Sequence, residues 1–212
     1  MNRTKVFLSA LAIIAFLTVG AQASAAATPI ETVKSAIATV VAILNDRTFQ
    51  QAGMTEARRA AIEQVVRGFV SEQDMVRFTL GTLWTHLSES DQRHFKIIFV
   101  QLLRDAVACR VSDYVNADVL YLTERVEGNR AEVRILFKGD KVDTLLNVRL
   151  VNRSGTWRMY DAIADGVSLA ENYRSQFVQV MRATSYVGLV STMEAQTTMH
   201  KSFEHTVELA RQ

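Results

Sequence analysis

The chain has 212 residues, of which 49% are hydrophobic and 22% are charged, and it contains one proline and one cysteine. This composition excludes a disordered chain, a collagen-like repeat and a disulfide-stapled scaffold. The formal net charge is +2, and that value depends on where the mature chain begins.

The N-terminal segment has the features of a secretory signal peptide. Arg3 and Lys5 precede an apolar stretch, and small residues follow it, including Ala21-Gln22-Ala23. The apolar stretch is shorter than the ~20 residues that a transmembrane helix needs, which disfavours the alternative of an uncleaved membrane anchor. The sequence therefore predicts a signal peptide over residues 1–23, with cleavage possible as far as residue 27, and an exported protein.

Removal of this segment changes the charge balance. Residues 1–27 contain two basic residues and no acidic one, so residues 28–212 keep 22 basic against 22 acidic residues and are formally neutral. A nucleic-acid partner is not expected, because such partners normally demand a basic excess. Residues 28–212 contain no repeat and no low-complexity linker, and the only proline is Pro29. A single domain over 28–212 is therefore predicted.

Helical periodicity dominates the first half of this domain. Thr28-Pro29-Ile30-Glu31 is a capping box with proline at the first helical position. Apolar residues then recur at helical spacing in four segments. The first helix begins after Thr28, the second surrounds Ile62, the third begins at Ser71 and continues through Leu87, and the longest begins at Ser88.

Alternating strand-like segments follow, separated by short polar turns. The short turns predict a four-stranded antiparallel meander with one apolar face. The four segments are Val119–Val126, Arg130–Lys138, Val142–Val151 and Thr156–Ile163. Two more helices, Ser168–Ala183 and one from Tyr186 onward, close the chain. The predicted fold class is α+β, with a helical N-terminal half, the meander and C-terminal helices.

One segment could carry catalytic chemistry. Gly166-Val167-Ser168-Leu169-Ala170 resembles a nucleophile elbow, and Glu194, His200 and His205 follow in the order of a catalytic triad. Ser168-Leu169-Ala170-Glu171 is also a Ser-x-x-Glu capping box, and the alternating strands and helices of a hydrolase are missing upstream. A helix cap is favoured, and an exported serine hydrolase using Ser168 is kept as the alternative.

The remaining reactive residue types show no catalytic or metal-binding pattern. No two histidines stand four residues apart, so no helical metal site is predicted. Cys109 falls on the apolar face of the longest helix, where an inert core thiol is expected. Tyr173 and Arg174 could hold an anionic headgroup, although an arginine near a helix start is more often solvated. No catalytic residue, metal or cofactor is predicted.

The segment from Trp157 to Phe177 carries a distinctive motif. It contains W-x-x-Y-D, then G-V-S-L, then N-Y-R-S-Q-F. In this order and spacing, the three parts closely resemble the signature of the toluene-tolerance family, the MlaC-like periplasmic phospholipid-binding proteins, which include a hopanoid-associated branch. Leu80-Gly81, Trp84 and Tyr186-Val187-Gly188-Leu189-Val190 are also similar to the family pattern. The order of signal peptide, helices, strands and helices agrees with it as well.

The resemblance implies a lipid carrier of the periplasm that performs no chemistry on its cargo. Such proteins hold the acyl chains of a phospholipid, or a hopanoid-like lipid, in an apolar cavity between sheet and helices. They exchange it with an inner-membrane ABC transporter complex carrying an MCE-domain protein and with an outer-membrane lipoprotein complex. A carrier is physically necessary, because exposing roughly fifteen CH₂ groups to water costs on the order of 12 kcal/mol. A non-enzymatic envelope adaptor domain with a filled core is a further alternative.

Strand alternation and the motif together identify candidate lipid-binding residues. The headgroup is expected to project into water, and Asp161 is expected to brace a turn or a cap. The same apolar residues would also suit an ordinary packed core. The candidates are Val133, Ile135, Phe137, Leu146, Val148, Leu150, Trp157, Val167, Leu169 and Tyr173.

Overall fold

A computed structural model describes residues 27–51, 53–111, 118–139 and 143–209, without the side chains of 105–111 and 199–209. The predicted signal peptide and the side chains of Cys109, His200 and His205 lie outside these residues. Within the described residues, no helix is long and apolar enough to cross a membrane.

The described part of the chain forms seven helices and five strands in the predicted α+β order. The helices are α1 (Pro29–Asn45), α2 (Thr55–Phe69), α3 (Glu72–Leu80), α4 (Leu83–His86), α5 (Glu89–Val111), α6 (Leu169–Ala183) and α7 (Tyr186–Leu209). The strands are β1 (Asp118–Glu127), β2 (Arg130–Lys138), β3 (Thr144–Arg153), β4 (Thr156–Ala164) and β5 (Val167–Ser168). The predicted fold class is therefore confirmed.

The third predicted helix is divided into two. It ends at Leu80, and Gly81 follows with a positive φ of 57°, which an L side chain rarely adopts. A Cβ at Gly81 would also lie 3.4 Å from Nη2 of Arg174. The chain then resumes as the single turn α4, whose Trp84 returns to the same core.

The strands form one antiparallel sheet in the order β1-β2-β3-β4-β5. The four long strands confirm the predicted meander. The two-residue strand β5, which the sequence analysis did not predict, pairs with Ile163 and Ala164. Farther along the same edge of β4, the backbone N–H of Ser71 donates to the carbonyl of Met159 at 2.7 Å. Both contacts pair the outer edge of β4 with another segment.

The sheet is covered on both faces, whereas the alternation predicted a cover on one. We call the face that packs on Val33 of α1 the α1 face; its buried residues are Ala131, Val133, Ile135, Val148 and Leu150. The opposite face is the bundle face, where α3 and α6 pack against β4. Phe78 of α3 meets Tyr160 edge to face at 5.4 Å there.

Helices α5, α6 and α7 form a bundle around an aromatic core. The Phe95 ring lies 5.6 Å from Phe177 and the Phe99 ring lies 5.4 Å from Tyr173, so aromatic side chains join α5 to α6. The Tyr186 hydroxyl donates to the carbonyl of Asp91 at 2.8 Å, which brings the first turns of α5 and α7 together. Because these two helices also pack along each other extensively, they run parallel.

A fully buried carboxylate joins β4 to α6. Asp161 accepts hydrogen bonds from Ser168 Oγ at 2.8 Å, from the backbone N–H of Ala170 at 3.1 Å and from Arg149 Nη1 at 3.2 Å. Arg149 also lies 3.7 Å from a carboxylate oxygen of Glu132 on the neighbouring strand. We call Glu132, Arg149 and Asp161, which are directly opposite one another, the polar row. The expectation that Asp161 braces a cap is confirmed.

We expect Asp161→Asn to lower the free energy of unfolding by about 2 to 4 kcal/mol in urea titrations, because it leaves Arg149 without its buried counter-charge. Glu171→Gln is the matched control: Glu171 lies 4.0 Å from the same guanidinium but is 61% exposed. Its loss should cost less than about 1 kcal/mol. Equal losses for the two variants would contradict the assigned role of Asp161.

A second ion pair ties the first turn of α3 to the end of β3. Arg153 donates to Asp74 through Nε at 3.1 Å and through Nη2. The Arg153 guanidinium holds the pKa of Asp74 below its usual value of 3.8, with help from the Ser71 hydroxyl and against the effect of partial burial. Ionised Asp74 is therefore favoured in the folded protein.

Asp74→Asn should lower the free energy of unfolding at pH 7. The difference from the wild type should shrink as the pH falls below 3.8 through the lowered pKa, because protonated Asp74 no longer attracts Arg153. Urea unfolding at a series of pH values measures this. In Arg153→Gln, adding Asp74→Asn should change little; a pH-independent difference would contradict the pairing.

Candidate functional site

The six strand residues predicted from alternation do share one face. Val133 is directly opposite Val148, and Ile135 is directly opposite Leu146. Phe137 and Leu150 continue the same face, and Trp157 lies on it opposite Asn152. All seven predicted strand residues therefore belong to the α1 face.

Helix α1 packs tightly on the centre of this face. Val133, Ile135, Val148 and Leu150 are at most 3% exposed, with Val33 of α1 packed against them. A cavity wide enough for an acyl chain would leave its lining accessible to water. Contact of these four with a lipid stays a prediction, and it requires α1 to move off the sheet.

The start of α1 is fastened to β1 by polar contacts. Glu124 of β1 accepts a hydrogen bond from the backbone N–H of Ile30 at 2.7 Å, which places a carboxylate at the positive end of the helix. One turn later, the ammonium of Lys34 lies 5.1 Å from the centre of the Tyr121 ring. Partial burial raises the pKa of Tyr121. These contacts hold the start of α1 over the sheet.

The three motif residues outside the four long strands are dispersed. Val167 is 61% exposed on β5. Leu169 is half-buried against the bundle core, and Tyr173 lies within that core, where burial raises its pKa. The ten predicted residues therefore do not converge on one site.

Arg174 is occupied within the fold and is not free to hold a headgroup. Its Nε donates to the carbonyl of Thr79 at 3.0 Å, and Nη2 donates to the carbonyl of Phe78. The guanidinium also lies 5.4 Å from the centre of the Phe78 ring. Arg174 thus satisfies carbonyls at the end of α3, which corrects the idea of an anion-binding role.

One end of the sheet is apolar on both faces. On the bundle face, Leu120, Leu136 and Leu145 are directly opposite one another. Leu120 is 41% exposed, and the other two are half-buried. On the α1 face of the same end, Phe137 and Leu146 are also half-buried. We call these five residues the apolar end.

Sequence reasoning missed the leucines of the bundle face because it assigned each strand one apolar side. The signal was present as adjacent apolar residues in three strands: Val119-Leu120, Leu136-Phe137 and Leu145-Leu146. Since neighbouring strand residues point to opposite faces, such pairs predict apolar surface on both sides. Toward the other end of each strand, the bundle face carries polar residues. Each strand as a whole therefore looked apolar on one side only.

Helix α6 begins at the apolar end of the sheet. It follows β5, which pairs with Ile163 and Ala164 of β4, and the backbone N–H of Ala170 in its first turn donates to Asp161.

Ser168 serves as a helix cap. Its Oγ donates to buried Asp161 at 2.8 Å and accepts from the backbone N–H of Glu171 at 3.1 Å, as the capping box predicts. The proposed triad members His200 and His205 have side chains outside those described. Among the described residues, no group of three His, Cys, Asp or Glu side chains could bind a metal ion.

Comparison with known proteins agrees with this architecture. No curated protein matches the chain. Among solved structures, it is similar to the phospholipid-binding protein from Ralstonia solanacearum, which was solved in complex with a phospholipid. The TM-score is 0.71 at 22% sequence identity, over 80% of this chain and 97% of that chain. At this level of identity, the likeness shows the fold.

A family model supplies the assignment. The model described as MlaC protein matches residues 34–195, which is more than half of the 212-residue chain. The match begins within α1 and includes the other helices before the sheet, all five strands and the Trp157–Phe177 motif. The predicted family resemblance is confirmed, and the chain belongs to the MlaC protein family.

Proposed function

We propose that this protein is a phospholipid-binding carrier of the periplasm. The observation that carries the proposal is the apolar end, where exposed Leu120 lies beside half-buried Leu136 and Leu145 on the bundle face. Membership of the MlaC protein family supports it. So does the likeness to a solved phospholipid-binding protein in complex with its lipid. A hopanoid-like lipid would meet the same apolar surface.

In this proposal, the acyl chains lie along Leu120, Leu136 and Leu145 on the bundle face. Each CH₂ group removed from water there stabilises the complex by ~0.8 kcal/mol. The polar row bounds this surface, because Arg149 and Glu132 lie farther along the same strands. The headgroup then projects away from the sheet into water, so selectivity for it is weak.

Transport requires two exchange partners. We propose that residues 1–23 direct export and that the domain from residue 28 moves lipid between two complexes. One is an inner-membrane ABC transporter complex carrying an MCE-domain protein, and the other is an outer-membrane lipoprotein complex. The resemblance of the Trp157–Phe177 motif to its family supports these roles. No catalytic step on the lipid is needed.

Leu136→Glu and Leu145→Glu should each reduce bound lipid about ten-fold or more, because a carboxylate desolvated against an acyl chain costs several kcal/mol. The measurement is lipid mass spectrometry after detergent-free purification, together with uptake from vesicles containing labelled phospholipid. A wild-type protein that carries no lipid and takes none up would contradict the proposal.

Ile97→Glu is the matched control. Ile97 is 65% exposed on α5, so the same chemical change is expected to leave lipid loading unchanged.

Val148→Glu tests the α1 face. Because Val148 is only 3% exposed, we expect that variant to unfold at lower temperature in circular dichroism.

Ser168 should not react with a fluorophosphonate probe that labels serine nucleophiles, because its hydroxyl is held by Asp161 and by the start of α6. Intact-protein mass spectrometry measures the adduct. A stoichiometric adduct that disappears in Ser168→Ala would instead establish the serine hydrolase alternative. Ser191→Ala, at an exposed serine of α7, controls for nonspecific labelling.

A further inference from the structure

A cleft of about 260 Å³ lies on the bundle face between α3 and the sheet. Its lining residues are Asp74, Arg77, Phe78, Arg130, Val151 and Tyr160. Arg130 and Leu136 are six residues apart on β2, which separates the cleft from the apolar end by about 20 Å. The polar row lies between them. The cleft is therefore separate from the surface to which we assign the lipid.

The floor of the cleft is aromatic and fixed in place. Phe78 and Tyr160 pack edge to face, and Tyr160 is only 8% exposed. The Arg130 guanidinium lies 4.9 Å from the centre of the Tyr160 ring. The Arg174 guanidinium lies 5.4 Å from the centre of the Phe78 ring and bonds to the α3 backbone. A rigid floor of this kind loses little entropy when a ligand packs on it.

The charges of the cleft are unbalanced. Its single carboxylate, Asp74, is already paired with Arg153. Arg77 and Arg130 are exposed. Arg77 attracts Asp74 electrostatically, but neither arginine lies within salt-bridge distance of a carboxylate that the structure describes. Glu127, which is opposite Arg130 in the sheet, pairs with Arg125 at 2.5 Å. Residues 28–212 are neutral as a whole, so this excess of positive charge is local.

The shape of the cleft restricts what can occupy it. Its volume suits one or two side chains and is smaller than most small-molecule sites. A flat membrane surface would not reach the aromatic floor, whereas a projecting peptide side chain would. Guanidinium groups bind carboxylates through paired hydrogen bonds, and arginine with aromatic residues dominates the energetic centres of protein interfaces.

We propose that this cleft docks an acidic peptide segment of a partner protein. Carboxylates of the segment bind Arg77 and Arg130, while an apolar side chain of the segment packs on Phe78 and Tyr160. Docking at this end leaves the apolar end open. The inference stands apart from the proposed lipid function, since a protein without lipid would keep the same cleft.

The test uses residues 28–212 and a fluorescent peptide in which aspartate and glutamate flank one phenylalanine. Fluorescence anisotropy should show binding that weakens as the salt concentration rises. Arg77→Glu with Arg130→Glu should weaken binding about ten-fold or more. The double variant Arg77→Gln with Arg130→Gln should weaken binding less. This variant provides the test if the charge-reversed protein fails to fold.

Arg47→Glu with Arg182→Glu is the charge-matched control. Both residues are exposed, and neither lines the cleft, so binding should remain at the wild-type level. Lipid loading should be unchanged in the Arg77 and Arg130 variants, which separates this test from that of the lipid proposal. The proposal is overturned if the control weakens binding equally, or if both pairs of cleft variants bind as the wild type does. It is also overturned if these variants lose binding to phosphatidylglycerol vesicles but not to the peptide.

Discussion

One buried carboxylate determines how the two layers of the protein meet. An anion shielded from water is stable only when hydrogen-bond donors and a counter-charge surround it. Asp161 therefore requires Ser168 and Arg149 in fixed positions, and this requirement sets where α6 begins. From that start, Tyr173 reaches the core beside Phe99, and the other helices pack around them. The motif that identifies the family thus specifies architecture, since its polar residues brace the fold.

Most of the secondary structure could be predicted because its periodicities are long and regular. The four long strands are nine or ten residues each, the capping box at Thr28 forms as expected, and Ser168 caps α6 through its own side chain. The break at Gly81 escaped prediction because apolar spacing continues across it, from Leu80 to Trp84. Strand β5 was not predicted because two residues are too few to show the alternation of a strand.

The candidate site was less predictable, because alternation tells which residues share a face but not what covers that face. The cover of the α1 face comes from Val33 of α1, and Glu124 bonds the backbone of Ile30 across 94 positions of sequence. No local pattern encodes such a contact. Leu136 and Leu145 share the opposite face, where charged neighbours such as Arg134 suggested solvent. In the sequence, only the pairs of adjacent apolar residues distinguish this end of each strand from the end with a polar face.

The polar row divides the bundle face into two territories. Glu132, Arg149 and Asp161 cross three strands, so an apolar surface and an arginine-lined cleft share one rigid sheet without sharing a side chain. Groups farther apart than about 10 Å generally contribute additively to stability and binding. Substitutions at one end of these strands can therefore alter binding there without altering the surface at the other end. The sheet is therefore a spacer between the two surfaces, so the proposed lipid surface and the proposed peptide cleft can change independently.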